Sequence, residues 1–232
     1  MFREIVTETL GGWGLPAAPE ALDRLERYCA LLLQKNEVMN LTAARTPEEV
    51  ARRHVSDSLF LLKCTELTHK SILDLGTGAG FPGLPLKLYD PALDVTLLDS
   101  RGKRIDFIRE VLDDLGLQAP TYAARAEDAA QELRGRFDVV TSRAVAPLNV
   151  LSELSVPFLR KGGLFLPMKS RNEASAQELA DAGSALRTLG CTFIRSEAYE
   201  LDGPRQVLVI EKTAETPKKY PRKYAQIAKK PL

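Results

Sequence analysis

Asp74-Leu75-Gly76-Thr77-Gly78-Ala79-Gly80-Phe81-Pro82-Gly83 grows out of a short apolar run, Ser71-Ile72-Leu73-Asp74-Leu75. A run of this kind reads as a strand ending in a tight turn. Glycine lets the backbone bend sharply there and lets a ligand approach its N–H groups. The spacing is GxGxG. A dinucleotide fingerprint needs GxGxxG, and its third glycine would fall on Phe81. Nineteen residues past Gly80, Asp99 ends a second strand-like run, Val95-Thr96-Leu97-Leu98-Asp99. A carboxylate at that point can accept both hydroxyls of a ribose. Together the two features imply a nucleoside pocket that makes no demand for a pyrophosphate.

Further runs continue the alternation: Thr121–Ala124, Phe137–Val140 and Leu164–Met168. Between the second and third lies a helical stripe of Ile105, Ile108, Val111, Leu112 and Leu115, with Ser100 as expected cap and Gly116 as stop. Strand–helix alternation predicts an α/β fold, a mostly parallel sheet with helices on both faces. Thr192–Tyr199 and Gln206–Glu211 are strand-like and joined through Leu201-Asp202-Gly203-Pro204-Arg205, which predicts a hairpin and hence an antiparallel last strand. The first 70 residues read as helices. Leu22, Leu25, Cys29, Leu32 and Leu33 form one stripe. Thr46, Pro47 and Glu49 make a capping box ahead of a second helix that would bury Val50, Val55, Leu59 and Leu62. The expected organisation is a helical extension over 1–70, a core over 71–212 and a basic tail over 213–232.

The 232 residues carry 32 Lys+Arg against 31 Asp+Glu, and 44% are hydrophobic, the composition of an ordinary globular chain. No apolar run approaches the roughly 18 residues of a membrane span. Arg3, Glu4 and Glu8 near the start do not fit a secretory signal. Cys29, Cys64 and Cys191 stand far apart, which argues against a disulfide scaffold and fits a reducing cytoplasm. With two histidines, no metal site is expected. Charge is uneven: residues 212–232 hold seven cations against Glu215 alone, a net +6, leaving −5 on the rest. A basic tail on a mildly acidic body suggests a polyanionic partner.

Asp-x-Gly-x-Gly-x-Gly resembles motif I of the Rossmann-like methyltransferases that use S-adenosyl-L-methionine. A longer set narrows this: Asn40-Leu41-Thr42-Ala43, Arg53-His54-Val55-Ser56-Asp57-Ser58-Leu59, Phe81-Pro82-Gly83, Asp99-Ser100-Arg101-Gly102-Lys103-Arg104, Arg125-Ala126-Glu127, Thr141-Ser142-Arg143-Ala144 and Thr216-Pro217-Lys218-Lys219-Tyr220-Pro221-Arg222-Lys223. In order and over nearly the whole chain, these resemble the bacterial 16S ribosomal RNA guanine-N7 methyltransferases, the glucose-inhibited division protein B family. The resemblance implies a seven-stranded sheet, S-adenosyl-L-methionine as cofactor, and 16S ribosomal RNA or the small subunit as partner. It implies cofactor contacts at Asp74, Gly76, Gly78, Gly80, Phe81, Asp99, Ser100, Arg101, Ala126, Glu127 and Arg143. Arg101 departs from the family's pattern, which is uncharged at that position. One pocket per chain suggests a monomer.

Guanine N7 carries a lone pair and no proton to lose, so methyl transfer to it needs no general base. The fourth run ends in Thr141-Ser142-Arg143-Ala144 and lacks the Asn-Pro-Pro-aromatic motif of exocyclic-amine methylation. Cys191 falls on the hairpin, away from the strand ends, and reads as a small buried hydrophobe rather than a nucleophile. N7 lies in the narrow groove of A-form RNA, so the target should sit in a loop or be flipped out. Candidate RNA contacts are Arg52, Arg53, Lys218, Lys219, Arg222 and Lys223. Removing 213–232 is expected to weaken RNA binding and flatten its salt dependence. The alternatives are a methyltransferase acting on a protein or small molecule, an unreactive RNA-binding module and, last, a nicotinamide dehydrogenase.

Overall fold

The computed structural model describes residues 1–232. Helices α1 (Phe2–Gly12) and α2 (Pro19–Met39) open the chain. A broken helical stretch follows: α3 (Pro47–Val50), a π-helical turn over Ala51–Ser56, α4 (Asp57–Leu59) and α5 (Leu61–Cys64). The core then alternates β1 (Ser71–Leu75), α6 (Gly83–Tyr89), β2 (Asp94–Asp99), α7 (Gly102–Asp114), β3 (Thr121–Ala123), α8 (Ala126–Leu133), β4 (Phe137–Arg143), α9 (Leu148–Ser155) and β5 (Leu159–Ser170). Helices α10 (Glu173–Asp181) and α11 (Gly183–Leu189) lead to the hairpin β6 (Cys191–Glu200) and β7 (Pro204–Lys212), and α12 (Tyr224–Lys229) ends the chain.

The seven strands lie in the order β3-β2-β1-β4-β5-β7-β6. The first five pair in parallel, whereas β7 runs antiparallel to both β5 and β6. The strand order reverses between β1 and β4, so a crevice opens outside their carboxyl ends, where ligands bind in open sheets of this kind. Successive β1 side chains serve opposite faces. Ile72 joins the apolar core shared with the N-terminal helices, α6 and α7. Leu73 and Leu75 join the core shared with α8, α9 and α11.

Two local expectations are corrected. Ser100 does not cap α7: the cap is Arg101, and no side chain caps from within. Asp99 supplies the acceptor instead, its Oδ1 taking the Arg101 N–H at 2.9 Å. The helix begun at Thr46 is not continuous. Thr46 Oγ1 does accept the Glu49 N–H at 3.3 Å, but Glu49 reaches back to the Arg45 N–H, at 2.7 Å. The π turn then shifts the phase of the helix. Val50, Val55 and Leu59 are buried as expected, Leu62 only in part, and polar Ser56, Asp57 and Ser58 turn inward as well.

Both ends of the chain are packed into the body. On α2, Leu25 and Tyr28 are fully buried, and the Tyr28 hydroxyl donates to the Ala79 carbonyl of the glycine loop at 2.7 Å. At the other end Thr216, Tyr220 and Ile227 are buried. Arg222 grips Glu153, a fully buried carboxylate on α9, through Nε (2.8 Å), Nη2 (2.5 Å) and its backbone N–H (2.9 Å).

Candidate active site

A cavity of about 420 Å³ lies outside the carboxyl ends of β1 to β4. That is within the range of small-molecule sites. Of the residues expected there, Gly76, Asp99, Ser100, Arg101, Ala126 and Glu127 line it. Asp74, Gly78, Gly80, Phe81 and Arg143 do not; they stand behind the wall, and each has a different task.

Gly76 is at φ +74, and a Cβ there would meet Val145 Cγ2 at 2.5 Å. The loop after β4 therefore lies directly over the glycine turn. The turn's own N–H groups are mostly engaged. Gly76 and Thr77 donate to the Leu98 carbonyl, Gly80 to the Thr77 carbonyl, and Gly78 to Asp99 Oδ2 at 2.9 Å. Glycine here serves close packing more than a display of amides to a ligand.

Asp99 is 3% exposed. Its Oδ2 takes the Gly78 N–H and Arg104 Nη1 (3.2 Å), and its Oδ1 takes the Arg101 N–H. A carboxylate offers about four lone-pair sites. One stays open, and a second is held only by the half-buried Arg104 guanidinium.

Asp74 is fully buried and braces the turn from below. Its Oδ2 accepts the Thr77 hydroxyl (2.6 Å) and the Gly83 N–H (2.7 Å), while Oδ1 has no partner. Burial pushes its carboxyl up to about 7.

Phe81 packs inward, 6% exposed, stacked on the His54 ring at 4.5 Å with the Arg143 guanidinium 4.8 Å above its own ring. Arg143 Nη1 donates to Asp57 Oδ2 (2.8 Å) and to the Arg53 carbonyl (2.9 Å). Its Nη2 lies 2.9 Å from His54 Nδ1. An arginine can only donate, so Nδ1 is the acceptor and His54 carries its proton on Nε2, 2.5 Å from Thr42 Oγ1. Burial, reinforced by the Arg143 charge, lowers His54 to about 4. Asp57 Oδ1 takes the Tyr199 hydroxyl at 2.7 Å. This polar chain ties the N-terminal helices, the glycine loop, β4 and β6 together.

A family model described as rRNA small subunit methyltransferase G matches residues 21–199. The ribosomal RNA small subunit methyltransferase G of Lactococcus lactis subsp. lactis is 46% identical over 218 residues, 91% of each chain. That of Streptococcus thermophilus is 44% identical over 227 residues, 94% of each chain. The chain belongs to this family. A methyltransferase from Pyrococcus furiosus shares the fold at TM-score 0.55, with 16% identity over 83% of this chain and 99% of that one. In this methyltransferase G family member, the motif residues Thr42, His54 and Asp57 find their place in the polar chain behind Phe81 rather than on the cavity.

The candidate RNA contacts divide in two. Arg52 is exposed, as are Lys218 and Lys219, and none of the three forms an ion pair. Arg53 is held by Asp202 (2.6 Å) and Glu49 (3.4 Å), Arg222 by Glu153, and Lys223 by Asp128 (2.5 Å). Lys212 is buried, donating to the Val156 and Leu159 carbonyls, so it adds nothing to a solvated tail. Cys191 is 5% exposed with its thiol pushed up to about 12 by burial, an inert setting. Several wall residues escaped the sequence reading: Arg104, Arg125, Val145, Leu154 and Tyr224. Arg104 and Arg125 stand inside quoted motifs. Val145, Leu154 and Tyr224 carried no local signal.

Proposed function

We propose that this chain transfers a methyl group from S-adenosyl-L-methionine to N7 of a guanine in 16S ribosomal RNA, with the cofactor held in the cavity at Gly76 and Asp99. The observation that carries the reading is Asp99. It is a buried carboxylate at the end of β2 with an acceptor site still open, facing a cavity entered over a glycine that leaves no room for a side chain. An open acceptor on a buried carboxylate fits a ribose diol, which can donate, and not an ionised phosphate, which cannot. Ser100 and Arg101 follow Asp99 along the wall, and Ala126 and Glu127 face them from the start of α8.

When bound, the cofactor supplies an electrophilic methyl on a positively charged sulfur. The chain's part is positional. Gly76 would leave room for that end beside β1, Asp99 would hold the sugar, and Glu127 with Ala126 would border the base. No residue need take a proton, because guanine N7 already presents its lone pair. The chain must instead align donor and acceptor and tolerate charge moving from sulfur to base. Asp74 is a positioning residue beneath the turn. Arg143 is another, acting through the Phe81 ring.

No helix is long and apolar enough to cross a membrane. The natural setting of the reaction is the cytoplasm, with a monomer acting on RNA or a ribosomal particle. Exposed Arg52, Lys218 and Lys219 would hold phosphates around a looped or flipped guanine. The test is incubation with labelled cofactor and unmodified small-subunit RNA, followed by mapping of the modified nucleotide. Label at a single guanine, sensitive to cleavage chemistry specific for N7-methylguanine, is expected. Label on protein, or none on RNA, defeats the reading.

A further inference from the structure

We propose that Tyr224, with Arg125, forms the outer wall of the adenosine end of the cavity, which makes the C-terminal segment a cofactor-binding element. The inference rests on the cavity being the cofactor site. Tyr224 lines that cavity beside Ala126, Glu127 and Leu154. Tyr224 is 40% exposed, although α12 buries Ile227 one turn on. The Arg125 guanidinium lies over the ring at 4.8 Å. The Tyr224 N–H donates to Glu127 Oε1 at 3.1 Å, and Arg125 Nε stands 3.6 Å from the same oxygen. One carboxylate thus fixes both the ring and the cation that covers it.

The segment is rigidly placed. Arg222 is bonded three ways to buried Glu153, and Tyr220 and Ile227 are core residues on either side of Tyr224. An aromatic ring presented by a fixed element at the rim of a nucleoside pocket suits a purine, which offers a π-face of its own. The cation nearest the ring, Arg125, is already engaged by Glu127 and by the ring itself, which leaves it poorly placed to hold a phosphate. A strand of RNA stacking on Tyr224 is therefore the less favoured occupant, and the test separates the two.

The experiment is calorimetric titration of the full-length chain with S-adenosylmethionine and S-adenosylhomocysteine, beside filter binding of unmodified small-subunit RNA to the same variants. Tyr224→Ala is expected to raise both dissociation constants about tenfold, the size of effect that base–aromatic stacking gives. Tyr224→Phe, which keeps the ring, should stay within about twofold. Arg125→Ala should weaken binding roughly two- to fivefold through loss of the cation–π contact, and serves as the second variant should Tyr224→Ala melt early. Wild-type affinity in a folded Tyr224→Ala overturns the proposal. So does a Tyr224→Ala that loses RNA affinity alone. A wild-type chain that binds no cofactor overturns the cavity's assignment itself, and is distinguishable because it needs no variant.

Discussion

Arg143 and Asp57, 86 residues apart in the chain, are joined by an ion pair of 2.8 Å with Asp57 only 2% exposed. The pair fastens the end of β4 to the N-terminal helices and holds the arginine over the ring of Phe81, the residue that follows the glycine turn. Arg143→Ala strands the Asp57 carboxylate with only the Tyr199 hydroxyl and a distant Arg205 at 3.9 Å. Breaking a buried pair in this way costs about 3 kcal/mol or more. Urea denaturation should show that loss, and cofactor titration a weaker site, because Phe81 loses its cover. Unchanged stability together with unchanged affinity would refute the positioning role. Arg143→Lys should recover only part, since lysine keeps the charge without the planar fork.

His54 and Asp74 should make opposite contributions to stability in mild acid. Folded His54 titrates near 4 against an ordinary 6.5, so between those values the unfolded chain holds the extra proton and stability falls as pH drops. Folded Asp74 titrates near 7 against an ordinary 3.8. There the folded chain holds the extra proton, and stability rises as pH drops from 7 toward 4. Each contributes at most about 1.4 kcal/mol per pH unit, and over pH 4–6.5 the two oppose each other. Relative to wild type, Asp74→Asn should lose stability more steeply on acidification and His54→Gln less steeply. Urea midpoints measured from pH 4.5 to 7.5 decide it, and parallel curves for all three chains would contradict both assignments.

Gly83 and Gly102 should respond in opposite directions to alanine. A Cβ on Gly83 would stand 2.7 Å from both Asp74 Cβ and Leu97 Cδ2, whereas one on Gly102 meets nothing within 4 Å. Overpacking at Gly83 should cost about 1–3 kcal/mol. Gly102→Ala, in the first turn of α7, should gain up to about 1 kcal/mol from the lower entropy of its unfolded chain. Thermal melts of the two variants provide the comparison.

Arg222→Ala should act on folding more than on RNA. It leaves the fully buried Glu153 without its cation, at a cost of about 3 kcal/mol, which for a chain of this size lowers Tm by about 6–12 °C. Adding Glu153→Gln should restore part of the loss. Deleting 213–232 is consequently no clean test of RNA binding, because it also removes Tyr220 and Ile227 from the core.

The cations that meet phosphate should be those with no carboxylate partner in the chain. Lys218→Ala with Lys219→Ala should reduce the salt slope of RNA binding by about 1.5, and Arg52→Ala by about 0.8. Lys223→Ala, already paired with Asp128, should change it less. A Lys223→Ala shift as large as that of Arg52→Ala would show that the internal pairs open on binding.

The strands were legible because buried parallel strands advertise themselves as short apolar runs with glycine or aspartate at their ends; their order across the sheet was not, since it depends on which runs meet in space. The hairpin was legible from Asp202-Gly203, and β6 and β7 pair on either side of it. The π turn was not, since its residues have the same apolar spacing as a longer helix until the phase shift is seen. Asp99 stood out because a carboxylate ending a strand leaves a local mark, whereas Ser100 and Glu127 came only with the family resemblance; all three lie on the cavity wall. Tyr224 left none. Its place on the cavity follows from Arg222 and Ile227 folding the tail back, a relation between distant parts of the chain. Phe81 and Arg143 were placed in the right neighbourhood but on the far side of the wall, because composition does not say toward which layer a side chain turns.

Gly76 and Tyr224 border one cavity from opposite thirds of the chain. A polypeptide still threaded through the exit tunnel has its first wall long before its last. Contacts so distant in sequence close late. During its own synthesis the chain lacks that last wall, and a product cut short by premature termination leaves the pocket open on one side however well its sheet has formed.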